Sequence, residues 1–232
     1  MPNIAPSALD IVALMTFLCV MVGYGYATAM PPLERRSIVS AVQRQRERWM
    51  QNMAVRDMRM VDAQLLGGLS QGNAFFASTS AIIIGGLVTL LGSGDKVQVL
   101  LERLPFAATS SATLFEIKLL LLIGIFVFSF FKFAWAFRLS HYTAIMIGAT
   151  PIAEAGNEAY RESHARRTAH LIGLAAGHAN TGLRGYYHAM AAMAWFFHPV
   201  ALLVATMWVL AILVRRDFFS RSRRLMAEDL AE

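Results

Sequence analysis

A chain of 232 residues of which 56% are hydrophobic and only 16% charged is too apolar for an ordinary water-soluble domain, and its apolar residues come in long runs instead of alternating stripes. The formal net charge of +6 is almost all arginine set beside those runs, which points to the lipid bilayer and its anionic headgroups as partners and away from nucleic acid. Cys19 is the single cysteine, so an internal disulfide and any cysteine-based zinc site are excluded.

Residues 11–29 are about one bilayer thickness of apolar chain, preceded by Asp10 with no Lys or Arg before it, and read as a first membrane helix. Ala27-Thr28-Ala29 resembles a signal-peptidase site, but the positive leader and the shorter apolar core of a secretory signal are missing. Pro31-Pro32 ends the helix, because neither ring nitrogen can donate a hydrogen bond.

Residues 35–66 are polar and arginine-rich. At 100° per residue Ile38, Val42, Trp49, Met53 and Met60 share one face, which predicts an amphipathic helix packed on the rest of the protein; a helix lying in the headgroup layer, anchored by Trp49, is the sharper alternative. Gly67-Gly68 and Gly72 are expected to break it. Residues 73–91 then form a second membrane segment, with Ala74, Ser78, Ala81, Gly85 and Gly92 at spacings of three, four or seven. Such a line of small residues lets helix backbones approach closely, and it is read as a helix-packing face.

Gly92-Ser93-Gly94-Asp95 signals a turn, and the connection that follows carries only Lys96 and Arg103 among cations. A third, very apolar segment covers 114–137. Lys132 near its end is expected to snorkel to the headgroups, with Trp135 and Arg138 at that boundary. Residues 139–178 mix polar and apolar pieces, with Pro151 as a helix end and a second cytoplasmic helical stretch beyond it.

Phe75-Phe76-Ala77-Ser78-Thr79-Ser80 with Gly85-Gly86-Leu87, Phe131-Lys132-Phe133-Ala134-Trp135, and Asn180 to Tyr187 with Ala194-Trp195-Phe196 together resemble domain-of-unknown-function family 599 of bacteria and plants. The resemblance covers nearly the whole chain. It implies a multi-pass integral membrane protein and carries over no catalytic or binding residue.

Topology turns on His198-Pro199, which interrupts the last apolar tract. If Pro199 merely kinks one helix there are four crossings, and Arg215, Arg216, Arg221, Arg223 and Arg224 end outside, against the rule that keeps Lys and Arg on the cytoplasmic side. If Pro199 starts a new helix there are five, with segments at 180–197 and 199–214 and the C-terminus inside. We read five, with four as the alternative. The short last crossing, about 22 Å long at 1.5 Å per residue, is covered by flanking arginines and local thinning.

The expectation is thus an all-α, polytopic helical bundle forming a single membrane domain over 1–232, in a bacterial inner membrane, with its N-terminus outside and amphipathic helices on the cytoplasmic side. The candidate functional or pairing residues are Arg184, Asn180, Lys132 and Asp62. An arginine inside the bilayer must be paired, hydrated or snorkelled, and Asp57 or Asp62 is the expected partner if Arg184 is paired. His178, His188 and His198 turn by about 80° at each step and share no tight ligand face. No metal or cofactor is implied, and neither a nucleophile triad nor a phosphate loop is present. The leading reading is a non-enzymatic protein that forms homo-oligomers or joins a larger membrane complex through the small-residue face. The rivals are a small transporter or channel with a polar path by Ser78, Thr89, Asn180 and Arg184, and a haem-binding or lipid-acting enzyme.

Overall fold

The computed structural model describes residues 7–93 and 111–228, and every regular element among them is helical. The helices are α1 (Ala8–Ala29), the single turn α2 (Pro31–Glu34), α3 (Ile38–Val55), α4 (Met60–Gly92), α5 (Ala112–Gly148), α6 (Glu158–Met193), α7 (Pro199–Phe218) and α8 (Arg221–Glu228), with a 3-10 turn (Ala194–Phe196) between α6 and α7. The connection holding Lys96 and Arg103, and the turn beyond Ser93, lie outside the described residues.

Starts and stops follow local chemistry. Ser7 and Asp10 form a reciprocal capping box on α1, Ser37 caps α3 and Ser111 caps α5, each satisfying amide groups that have no partner inside the helix. The expected new helix at Pro199 is present: His198 is extended, its ring accepts from the Val200 amide, and Pro199 occupies the first helical position, where its missing N–H costs nothing.

The long polar helix expected over 35–66 is divided instead at residues 56–59, and α4 runs unbroken through Gly67, Gly68 and Gly72. Each glycine costs a helix about 1 kcal/mol, but α4 is held on both sides of them. Below, Asp62 is fully buried and accepts from Trp49 Nε1 at 2.7 Å and Arg56 Nη1 at 3.0 Å; above, Phe76 stacks on Phe133 of α5 with ring centroids 5.0 Å apart. The chain turns at 56–59 because Arg59 reaches across to the carbonyls of Thr150 and Pro151, the latter at 2.8 Å.

Contacts along the helices fix their directions. Asp10 meets Trp195 just before α7, and Tyr24 meets Asp217 at the end of α7, so α1 and α7 are parallel. α6 runs against α5, for Gly185 faces Ser129 and His164 meets Met146. α4 in turn runs against α5. At 1.5 Å per residue α1 and α7, of 22 and 20 residues, are about 33 and 30 Å long, close to a hydrocarbon core, whereas α4, α5 and α6, of 33, 37 and 36 residues, are about 50 Å or more. The excess length of the three projects at one end.

Two cores result. One joins Phe17, Leu122, Phe126, Ala189, Trp195, Leu202 and Leu213 within the level of α1 and α7. The other joins Met50, Met53, Leu66, Ile147, Ala165, Ala169 and Ile172 and seats α3 on the projecting end. α3 therefore packs on the protein, and Trp49 turns inward to Asp62 instead of anchoring in a headgroup layer. α8 rests on α3, where Gln45 donates to the Met226 carbonyl at 3.4 Å.

Four helices, α1, α4, α5 and α7 continuing through α8, are long and apolar enough to cross a membrane. α6 is too polar to qualify alone, yet its upper half is enclosed by α1, α5 and α7. Close approach makes this possible: a Cβ at Gly182 would come within 2.8 Å of the Phe133 ring, and one at Gly185 within 2.1 Å of Ser129 Oγ. Those two positions leave no room for any side chain.

Candidate functional site

Arg184 lies on the upper half of α6 with its side chain 15% exposed. Its Nη2 donates to Asp217 Oδ2 of α7 at 2.8 Å and its Nη1 to Thr28 Oγ1 of α1 at 2.8 Å. Tyr24 of α1 donates its hydroxyl to the same Asp217 oxygen at 2.8 Å, and the Arg184 guanidinium lies 5.0 Å from the Tyr24 ring centroid. Asp217 Oδ1 accepts from Arg216 Nε at 2.9 Å. One buried carboxylate thus serves two guanidinium groups, and the node that ties three helices together keeps a net positive charge. The Nε of Arg184 is buried without a hydrogen-bond partner among the described residues.

Beside this node α1 stands apart from α5, and α6 forms the floor of the gap. The resulting cleft has a volume of about 820 Å³. Met21, Val22, Leu120, Leu121, Gly124 and Phe128 make it apolar, while Lys132, Thr181, Arg184 and His188 supply its polar groups. Val22, Tyr26, Leu120 and Phe128 at its sides are between 49% and 72% exposed, so the cleft opens sideways through an apolar rim. His188 is buried against Phe17, with Nδ1 unpartnered among the described residues.

A second cleft of about 620 Å³ lies between α3 and α6 at the projecting end. It is polar, lined by Arg35, Ser40, Arg44, Glu47, His170 and His178 among others, and Lys132 and Thr181 line it as well as the first. Lys132 therefore stands where the two clefts meet. Among the described residues it has no hydrogen-bond or ion-pair partner; its ammonium lies 5.2 Å from the Phe128 ring centroid.

The opposite end is closed by a third polar group. Trp195 Nε1 donates to Asp10 Oδ1 at 2.9 Å, and Ser7 Oγ to the other oxygen at 2.6 Å. Lys118, 2% exposed, lies 5.4 Å from the Trp195 ring and feels the Asp10 charge.

Arg184 is paired in the fold, with Asp217 and not with the Asp57 or Asp62 named as partners for that case. Asp57 is exposed and Asp62 is engaged by Trp49 and Arg56, because α3 and the start of α4 sit on the projecting end, below the level of Arg184. Asn180 is half-buried on α6. Ser78, Ala81, Gly85 and Gly92 lie on the exposed side of α4, Ala74 is partly covered, and Cβ atoms at Gly85 and Gly92 would touch nothing. Within the chain α4 packs through another face, where Ser80 pairs with the Tyr186 hydroxyl at 2.9 Å. Ser78 and Thr89 consequently do not converge with Asn180 and Arg184. Of the spaced histidines, His178 lines the second cleft, His188 the first, and His198 caps α7.

Asp217, Tyr24, Thr28, Asp10 and Lys118 are absent from the candidates drawn from the sequence. Asp217 carried a signal: it is the first acid after the last apolar tract and directly follows Arg215-Arg216.

The helical fold and its buried charges define a polytopic membrane protein. The chain belongs to the family described as "Protein of unknown function, DUF599", whose model matches residues 12–222. No curated protein and no solved structure shows a significant match to it.

Proposed function

We propose that the protein crosses the bilayer five times, with its N-terminus outside and its C-terminus in the cytoplasm, and that it binds an amphiphilic molecule of the bilayer in the cleft between α1 and α5. The antiparallel hairpin of α6 and α7 supports the crossing number. So does charge: among the described residues every arginine lies toward the projecting end or at the level of the Asp217 node, as the positive-inside rule requires of the cytoplasmic side.

The observation that carries the binding reading is the composition of the cleft. Its walls are aliphatic and aromatic along most of its length, Lys132, Thr181 and Arg184 lie toward one end with His188 about a helical turn further in, and its rim opens where lipid would lie. Pockets of this volume with a few placed polar groups are the usual form of a small-molecule site. The activity inferred is binding, with no turnover.

Filling the cleft tests the reading. A side chain at Gly124 enters open space, so Gly124→Phe is expected to fold and to strip the lipid that the purified protein retains in native mass spectrometry. Ile82→Phe, on the outer side of α4 where Ile82 is 75% exposed, should leave retention unchanged. Equal retention in Gly124→Phe and the natural protein would show that the cleft holds nothing.

A further inference from the structure

We infer that the occupant of the cleft is a lipid of the cytoplasmic leaflet with a negatively charged phosphate headgroup, its acyl chain along α1 and α5 and its phosphate at Lys132, facing the second cleft. The inference rests on the binding reading above and adds to it the chemical class of the ligand.

Charge is the first argument. A lysine on a membrane helix is costly unless its charge is answered or reaches water. Lys132 has no anionic partner among the described residues, and the neighbouring node of Arg184, Arg216 and Asp217 is itself net positive. The second cleft adds Arg35 and Arg44, both exposed, against Glu47 as the one carboxylate in its lining. Among the described residues the junction is net positive, and a phosphate group would balance it. Basic pockets between membrane helices on the cytoplasmic side are suited to such headgroups.

Length is the second. Along α5 the first cleft runs from Leu120 to Lys132, about 18 Å at 1.5 Å per residue, and one leaflet of a bilayer core is about 15 Å deep. An acyl chain starting from a phosphate at Lys132 therefore reaches Leu120 and Met21 without leaving the apolar wall. The polar end of the cleft faces the cytoplasm, which selects the leaflet. Gly177, where a Cβ would touch nothing, keeps the second cleft open beside the headgroup.

The test compares dioleoyl phosphatidate with dioleoyl phosphatidylcholine, which share their chains and differ in net charge, titrated onto the detergent-solubilised full chain in native mass spectrometry. The natural protein is expected to prefer phosphatidate by about ten-fold, the worth of a charge-assisted hydrogen bond. Lys132→Gln should bring the two lipids to within about two-fold of each other, and Lys132→Arg should restore the preference. Should Lys132→Gln fail to fold, the double variant Arg35→Gln/Arg44→Gln, at exposed positions just before and on α3, is expected to reduce the preference as well. Inorganic phosphate added in excess should not displace the bound lipid, because the chain contributes to its hold; displacement would mean that the site is one for free phosphate, overturning the inference. Equal affinity of the two lipids, or a preference that survives loss of these cations, would overturn it too. In that event Gly124→Phe still reports on the cleft itself: loss of both lipids keeps the binding reading, and loss of neither removes both.

Discussion

Arg184 and Asp217 meet at 2.8 Å from helices that leave the turn at His198-Pro199 in opposite directions. With Thr28 and Tyr24 they close α1, α6 and α7 around one carboxylate. Asp217→Asn leaves two guanidinium groups at the node with no anion, and removal of one partner from a buried pair costs about 3–5 kcal/mol. The variant should show a large loss of thermal stability in detergent. Wild-type stability would place the node in contact with water.

Arg184→Lys tests geometry at constant charge. One ammonium cannot span Thr28 and Asp217 as the two guanidinium nitrogens do, so the substitution should cost about 1–3 kcal/mol, the worth of a charged hydrogen bond. Arg221→Lys, on exposed α8, should change stability by less than about 0.5 kcal/mol. Thermal unfolding of the two variants side by side gives the comparison.

The two glycine faces should part cleanly. Gly185→Leu drives a side chain into Ser129, which a Cβ alone would approach to 2.1 Å, and overpacking of this kind costs about 1–3 kcal/mol or more. Gly85→Leu meets open space and should leave the stability of the single chain intact. If the outer face of α4 joins a second copy, as its small residues lead one to expect, Gly85→Leu will lower the oligomer fraction in size-exclusion chromatography; an unchanged oligomeric state places that face against lipid.

A reporter fused after Glu232 should behave as cytoplasmic, and one fused after Ser93 as external. A periplasmic signal from the first fusion would overturn the five-crossing arrangement.

Trp49→Phe removes the indole donor that Asp62 receives at 2.7 Å. Asp62 already has one oxygen unpartnered among the described residues, so the loss should cost about 1–3 kcal/mol and loosen α3. Limited trypsin digestion would report it, because the arginines of α3 become cleavable once the helix lifts.

The membrane helices were legible because apolar length is a property of the sequence alone: residues 11–29, 73–91 and 114–137 fall within α1, α4 and α5. The helix after Pro199 was legible from the same run of residues read with the arginines beyond it. The break near Gly67-Gly68 was misplaced, since a glycine reports helix propensity and the packing of Asp62 and Phe76 overrides it. The small-residue line of α4 lies mostly on its exposed side, whereas the glycines that other helices approach closely are Gly173, Gly182 and Gly185 of α6. The choice of Asp217 over Asp62 depends on how far α4, α5 and α6 project, and no local pattern encodes that.

The polarity of α6 bears on how the protein is made. An arginine at the middle of an isolated membrane helix costs about 2.5–3.5 kcal/mol at the insertion machinery, and α6 carries Arg184 with too little apolar surface to qualify as a span alone. Its counter-charge, Asp217, is synthesised 33 residues later. In the five-crossing arrangement proposed above, stable residence of α6 therefore waits for α7, and a nascent chain that stops before Pro199 is expected to leave its last helix on the cytoplasmic surface, within reach of the proteases there.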